Sequence, residues 1–232
     1  MPEDKQVTNL KKANAHYLWL FIGVNLAAFL GVYISAELSG SAIEHFWQKV
    51  SAKDGLIALC VPLATIVLNG LLGDTAKARL VFWRWRCPLP GCRAFSRHMH
   101  NDPRIDCDAL TAKHGKLPRA AKEQNALWYQ MYRAHADKLT VLHAHRMYLL
   151  TRDMAGLSAI FAVAFLAGAL FSPASWKTVA GYGGFLVLQY VALAMAARNY
   201  GVRFVTNVLT EESQPSQQGR VGVNADIETQ AK

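Results

Sequence analysis

Cysteine, histidine and aspartate side chains concentrate between residues 87 and 114 of this 232-residue chain. Thiolates and imidazoles are the usual ligands of tetrahedral zinc, and such an ion can hold together a short segment that has little apolar core. The interval between the first two cysteines is longer than in common Cys-x2-Cys pairs, but the local density of donors is high. The sequence therefore allows zinc as a cofactor, with these predicted ligands: Cys87, Cys92, His98 and Cys107.

Two residues of the same stretch, Arg93 and His98, form an Arg-x4-His pattern. This pattern is similar to the loose motif of HEPN-type nucleases. The resemblance implies that the histidine acts on a ribose hydroxyl proton while the arginine steadies the phosphate. The alternative function is therefore a membrane-bound metal-dependent hydrolase or nuclease that uses residues 87–114. The chain has no P-loop, no dinucleotide-binding glycine motif and no His-Glu-x-x-His, so a non-enzymatic function is the leading prediction.

Basic side chains are interspersed with this cluster. Guanidinium groups favour bidentate contacts with phosphate, so nucleotides, nucleic acids and anionic headgroups are natural ligands. The alternative is that the positive charge only keeps the segment in the cytoplasm beside the lipid. The predicted anion-binding residues are Arg93, Arg97, Arg104, Lys113, Lys116 and Arg119.

Long stretches without any Asp, Glu, Lys or Arg flank the basic segment on both sides. The whole chain is 52% hydrophobic and only 18% charged. A helix needs about 20 apolar residues to cross a bilayer, and each stretch has about that length. The four stretches are residues 17–36, 55–73, 154–176 and 178–197. They predict an all-α integral membrane protein with four transmembrane helices in two hairpins and a helical cytoplasmic insertion between the second and third.

The distribution of basic residues predicts the orientation. With four spans, both termini and the central segment share one side of the membrane, and that side holds 22 of the 25 Lys and Arg residues. Basic residues near membrane ends favour the cytoplasm, which predicts an inner-membrane protein with both termini inside. The predicted domains are a leader (1–16), a first hairpin (17–73), a basic cytoplasmic domain (74–153), a second hairpin (154–197), and an amphipathic extension with a disordered tail (198–232).

The segment 74–86 alternates cations with large aromatic rings directly after a charge-free stretch. An interfacial helix favours this mixture, because rings settle at the headgroup boundary while cations meet anionic lipid. Stacking on single-stranded nucleic acid is the alternative. The predicted membrane-interface residues are Lys77, Arg79, Trp83, Arg84, Trp85 and Arg86.

The remaining pattern predicts the local structure. Pro88 and Pro90 indicate that residues 87–115 are irregular. Residues 120–152 lack Gly and Pro and predict one helix that runs straight into the third span. In the first span, Asn25 requires a partner from a neighbouring helix. We expect the helical extension after residue 197 to end near Thr210.

These features together predict a sensor or effector. Its basic cytoplasmic domain would dock an anionic ligand, a nucleic acid or a partner protein and couple that event to the lipid bilayer. Small bacterial membrane effectors and sensors of defence systems share this plan as an architecture. Small residues four apart in the third and fourth spans, such as Ala180 and Gly184, predict a homo-oligomer.

Overall fold

A computed structural model of the chain describes residues 2–37, 67, 69–170 and 175–214. Every regular element within these ranges is a helix, which confirms the all-α prediction. A 3₁₀ turn at Pro90–Arg93 and a π-helical turn at Ala94–His98 lie between the second and third α-helices. The α-helices are α1 (Pro2–Glu37), α2 (Asp74–Phe82), α3 (Met99–Asn101), α4 (Cys107–His114), α5 (Ala121–Ala134), α6 (Leu139–Ala169) and α7 (Trp176–Ser213).

The chain divides into two compact units. The first comprises Met1–Pro88 and Arg146–Tyr200, and the second comprises Leu89–His145 and Gly201–Lys232. Helices α6 and α7 each contribute residues to both units. The predicted basic domain, residues 74–153, therefore differs in its limits from the second unit.

Two helices of the described chain, α6 and α7, are long and apolar enough to cross a membrane. Only 22% of the most apolar stretch of α7 is buried, against 56% for α6, so α7 presents most of its apolar surface outward. Such exposure is uncommon for a core helix and suits a lipid environment. Helix α1 contains the predicted first span, whereas most of the predicted second span lies outside the described residues. The four-span topology stays a prediction.

The first unit packs α1, α6 and α7 around small and aromatic side chains. Ala162, Tyr182 and Leu186 form one buried cluster. Beside it, Gln189 Nε2 donates to Asn25 Oδ1 at 3.0 Å and lies 3.3 Å from Ser158 Oγ. A neighbouring helix thus satisfies Asn25, as predicted. Such interhelical hydrogen bonds stabilise packing where apolar contacts alone give little selectivity.

The predicted single helix over residues 120–152 is wrong, because a turn at residues 135–138 separates α5 from α6. The turn lets Tyr132 Oη approach His145 Nδ1 to 3.1 Å. In an uninterrupted helix these residues would lie about 20 Å apart along the axis. Phe204 of α7 stacks on His145 with ring centroids 4.4 Å apart and meets Tyr132 edge to face at 5.1 Å. Tertiary packing of aromatic rings therefore decides where α5 ends.

The prediction of an irregular segment at residues 87–115 also needs correction. Two short turns and two helices fill most of it. Gln124 of α5 stabilises the π-helical turn, since its Oε1 accepts from the backbone N–H groups of Phe95 and Ser96. The Asp106 side chain caps α4 by accepting from Ala109 N at 2.9 Å. Local caps and one buried amide thus replace the expected loop.

Candidate functional site

Three helix ends of the second unit converge on one carboxylate. Glu212 lies near the end of α7, which continues to Ser213 rather than ending near Thr210 as predicted. His114 is the last residue of α4, which stops at Gly115 with a φ of 70°. His135 is the C-terminal cap of α5. The ends of α4 and α5 thus bring basic side chains to the end of α7.

The carboxylate has three basic partners at short distances. Lys113 Nζ lies 2.6 Å and His114 Nε2 2.8 Å from Oε1 of Glu212. His135 Nε2 lies 2.6 Å from Oε2. Only 5% of the Glu212 side chain is exposed, whereas 53% of the Lys113 side chain is exposed. A buried carboxylate therefore accepts hydrogen bonds from basic groups that reach toward solvent; we call these four residues the Glu212 cluster.

The partners determine the charge of Glu212. Burial by itself would raise the pKa of this carboxyl group, because the charged form loses hydration. Hydrogen bonds from Lys113, His114 and His135 oppose that effect and together lower the pKa below its ordinary value. Glu212 is therefore an anion at neutral pH, and with Nε2 protonated each imidazole donates to it.

A second set of contacts surrounds the same end of α7. Thr140 Oγ1 donates to Oε1 of Glu211 at 2.8 Å, and Asn207 Nδ2 donates to the Thr140 carbonyl at 3.0 Å. Arg104 pairs with Asp102 at 2.6 Å and also donates to Asn207 Oδ1. The Arg104 hydrogen bond lowers the pKa of Asp102 to about 2, although burial opposes it. The end of α7 is thus held by polar contacts from several directions.

No protein family, curated protein or solved structure matches the chain. The chemistry of the Glu212 cluster must therefore be inferred from its own geometry. A lysine and two imidazoles surround the two carboxylate oxygens of Glu212. These groups are the hydrogen-bond donors that phosphate and carboxylate ligands require.

The predicted anion-binding residues differ in their partners and exposure. Lys113 and Arg104 already pair with acidic side chains of the second unit. Arg93 is half-buried. Exposed positions are held by Arg97, Lys116 and Arg119. In the described part of the chain, Glu212 pairs with one predicted anion-binding residue, Lys113, and with two histidines that were not among the predicted anion ligands.

The predicted zinc ligands do not assemble in the described residues, where no group of three or more His, Cys, Asp or Glu side chains could hold a metal ion. Cys92 and His98 are buried, and Cys87 has a positive φ of 43°. Cys107 Sγ lies near the carbonyl oxygens of Met99 and Ile105, at 3.9 and 4.0 Å.

Lys77, predicted to meet lipid headgroups, is buried and pairs with Asp153 at 3.0 Å. Arg152 donates to the same Asp153 oxygen and lies 3.0 Å from Asp74 Oδ1. This ionic cluster joins α2 to α6 directly beside two charge-free stretches. Of the other predicted interface residues, Arg84 is half-buried and four are exposed: Arg79, Trp83, Trp85 and Arg86.

Sequence reasoning missed Glu212 because its neighbours Gln, Ser and Gly suggested a disordered tail. A helical signal was nevertheless present. Val205, Val208 and Leu209 are fully buried, and Glu212 continues their spacing of three and four residues. That stripe places Glu212 on the buried face of α7. His135 lies within the predicted helix 120–152, and that prediction gave it no chemical role.

Proposed function

We propose that this protein is an inner-membrane sensor or effector, with both termini in the cytoplasm, whose second unit docks an anionic ligand. The observation that supports the proposal is the composition of α7. One helix contains the charge-free stretch 178–197 and, further along, the carboxylate of the Glu212 cluster. A ligand that acts on Glu212 therefore acts on a helix that also has the length and apolarity of a membrane span.

In this proposal Glu212 is an internal anion in a basic site. Lys113, His114 and His135 donate to its carboxylate, and a phosphate or an acidic peptide needs the same donors. Lys113 is half exposed, so an external anion can reach it first. The ligand class is thus a nucleotide, a nucleic acid or an acidic segment of a partner protein, in competition with Glu212.

Competition supplies a route from ligand to membrane. A ligand shifts a conformational equilibrium by its difference in affinity for the two states. If the anion binds where Glu212 is released, binding favours the state in which the end of α7 is free. The proposed effector step is a change in bilayer permeability by a homo-oligomer. Ala180 and Gly184 are exposed on α7 and allow close helix approach in such an assembly.

Equilibrium binding to detergent-solubilised full-length protein tests the docking step, with a fluorescent triphosphate nucleotide and a labelled oligonucleotide as probes. Glu212→Gln removes the competing charge, so affinity should rise about tenfold, the equivalent of one charge-assisted hydrogen bond of about 1.5 kcal/mol. Lys113→Gln should lower affinity. Glu123→Gln is the matched control, because Glu123 is an exposed acid of the same unit.

Two results would contradict the docking proposal. One is the absence of binding to wild type and Glu212→Gln at about 1 mM probe, which corresponds to about −4 kcal/mol. The other is an equal gain in Glu123→Gln, which would indicate a general effect of net charge. Proteoliposomes test the effector step separately: ligand should raise permeability to a small dye, and persistently tight vesicles would exclude that step.

A further inference from the structure

The end of α2 is fixed in an unusual way. Its C-terminal cap, Trp83, has a left-handed backbone with a φ of 52°, which non-glycine residues adopt only when other contacts support it. Tyr190 Oη donates to the Leu80 carbonyl at 2.8 Å. Arg198 Nε donates to the carbonyl of Val81. Two side chains of α7 therefore satisfy the last carbonyls of α2, within the first unit.

The same two side chains fix the Trp83 ring. Its Nε1 donates to Tyr190 Oη at 3.0 Å, and the Arg198 guanidinium lies 3.7 Å from the ring centroid. Stacked guanidinium and ring attract each other through the ring quadrupole. Trp83 as a whole nevertheless stays 53% exposed, so these contacts hold it at the surface.

The segment after this ring is cationic, and most of it is exposed. Trp85 is 83% exposed, and Arg79 and Arg86 are exposed. No Asp or Glu occurs between Asp74 and Asp102, so no acidic residue close in sequence balances the charge of these cations. Charge-free stretches adjoin this segment on two sides. One ends at residue 73, directly before α2, and the other ends at residue 197, within α7.

We propose that residues 83–86, together with Arg79, form a docking surface for anionic phospholipid headgroups, with Tyr190 and Arg198 as positioning residues. Guanidinium groups bind lipid phosphate, and exposed tryptophan rings settle between the headgroups and the acyl chains. Charge complementarity and the adjoining apolar stretches favour lipid over single-stranded nucleic acid, which would stack on the same rings. This surface acts whether or not the Glu212 cluster binds a ligand.

Lipid selectivity tests the surface. Purified full-length protein is equilibrated with mixed micelles of phosphatidylglycerol and phosphatidylcholine in equal amounts, and mass spectrometry gives the ratio of retained lipids. Wild type should enrich phosphatidylglycerol. Arg86→Gln should lower the ratio about fivefold, the contribution of one arginine at an anionic surface. Trp83→Gly suits the left-handed backbone but removes the ring, so selectivity should fall while the fold is kept.

Lys116→Gln is the matched control, since Lys116 is an exposed cation of the second unit. It should leave the lipid ratio unchanged. An equal fall in Lys116→Gln, or equal retention of both lipids by wild type, would overturn the proposal. Displacement of bound phosphatidylglycerol by an oligonucleotide at equal concentration would likewise overturn it, because the surface would then bind nucleic acid.

Discussion

The ionic cluster at the start of the third predicted span offers a sharp test of the packing. A single oxygen, Oδ1 of Asp153, accepts from Lys77 Nζ at 3.0 Å and from Arg152 Nε and Nη2 at 3.2 and 3.1 Å. The Lys77 and Arg152 side chains are only 8% and 4% exposed. Asp153→Asn keeps the shape of the side chain but leaves two buried cations without their shared counter-charge.

Removing one partner of a buried ion pair destabilises a protein by about 3–5 kcal/mol, because the remaining charge stays desolvated. For a chain of this size, each kcal/mol shifts the unfolding midpoint by about 2–4 °C, so Asp153→Asn should lower it by about 6–20 °C. Asp74 provides a matched control. It contacts the same Arg152 Nη2 at 3.0 Å, but 63% of its side chain is exposed. Asp74→Asn should therefore cost less than about 1 kcal/mol.

The assay is thermal unfolding in detergent, followed by intrinsic tryptophan fluorescence. Adding Lys77→Met to Asp153→Asn removes one of the stranded cations, so the double variant should be less destabilised than the sum of the single changes. If Asp74→Asn and Asp153→Asn lowered the unfolding midpoint equally, burial would not be what makes the loss of Asp153 costly. Strict additivity of Lys77→Met with Asp153→Asn would lead to the same conclusion.

Three further predictions concern other contacts. Gly91→Ala should destabilise the protein by about 1–3 kcal/mol in thermal unfolding, because the new Cβ would lie 2.5 Å from Cε3 of the buried Trp128 ring. An unchanged unfolding midpoint would contradict this overpacking. Gln189→Leu should cost about 0.6–1.7 kcal/mol by the same assay, since Asn25 Oδ1 loses its donor from α7, and an unchanged midpoint would show that the amide is satisfied otherwise. Asp102 has a pKa of about 2 in the folded chain and about 3.9 when unfolded, so its contribution to folding stability is present above about pH 4 and lost as pH falls toward 2. Asp102→Asn should therefore make the unfolding midpoint less dependent on pH in acid. Identical pH profiles of wild type and variant would contradict this.

Properties that depend on neighbouring residues could be predicted from the sequence. Absence of charge over about 20 residues is a local feature, and two of the four predicted spans coincide with helices that are apolar enough to cross a membrane. Of the predicted helix 120–152, only the part from Leu139 onward is continuous with the start of the third predicted span, within α6. The amide of Asn25 was correctly expected to find a partner in another helix.

Contacts between distant residues could not be predicted. Glu212 meets His114 across 98 positions and His135 across 77, and no local pattern encodes such pairs. The turn at residues 135–138 contains neither Gly nor Pro. It forms because Tyr132 gains contacts with His145 and Phe204 that a continuous helix would forbid. The predicted zinc ligands raise a related point: clustering along the sequence does not ensure that side chains converge, and no metal-binding group forms among the described residues.

The prediction of membrane orientation counts every Lys and Arg near a membrane end equally. In this chain some of those cations pair with other parts of the protein. Lys77 and Arg152 contribute to the positive balance of the predicted cytoplasmic side, yet they face Asp153 inside the first unit rather than lipid. Arg198 follows a charge-free stretch but donates to a helix end and stacks on Trp83. A cation beside an apolar stretch must either reach headgroups or find partners in the protein, because its desolvation is costly. The half-buried Arg198 therefore helps to position Trp83, whereas the exposed Arg79 and Arg86 are the cations that the proposed lipid surface requires.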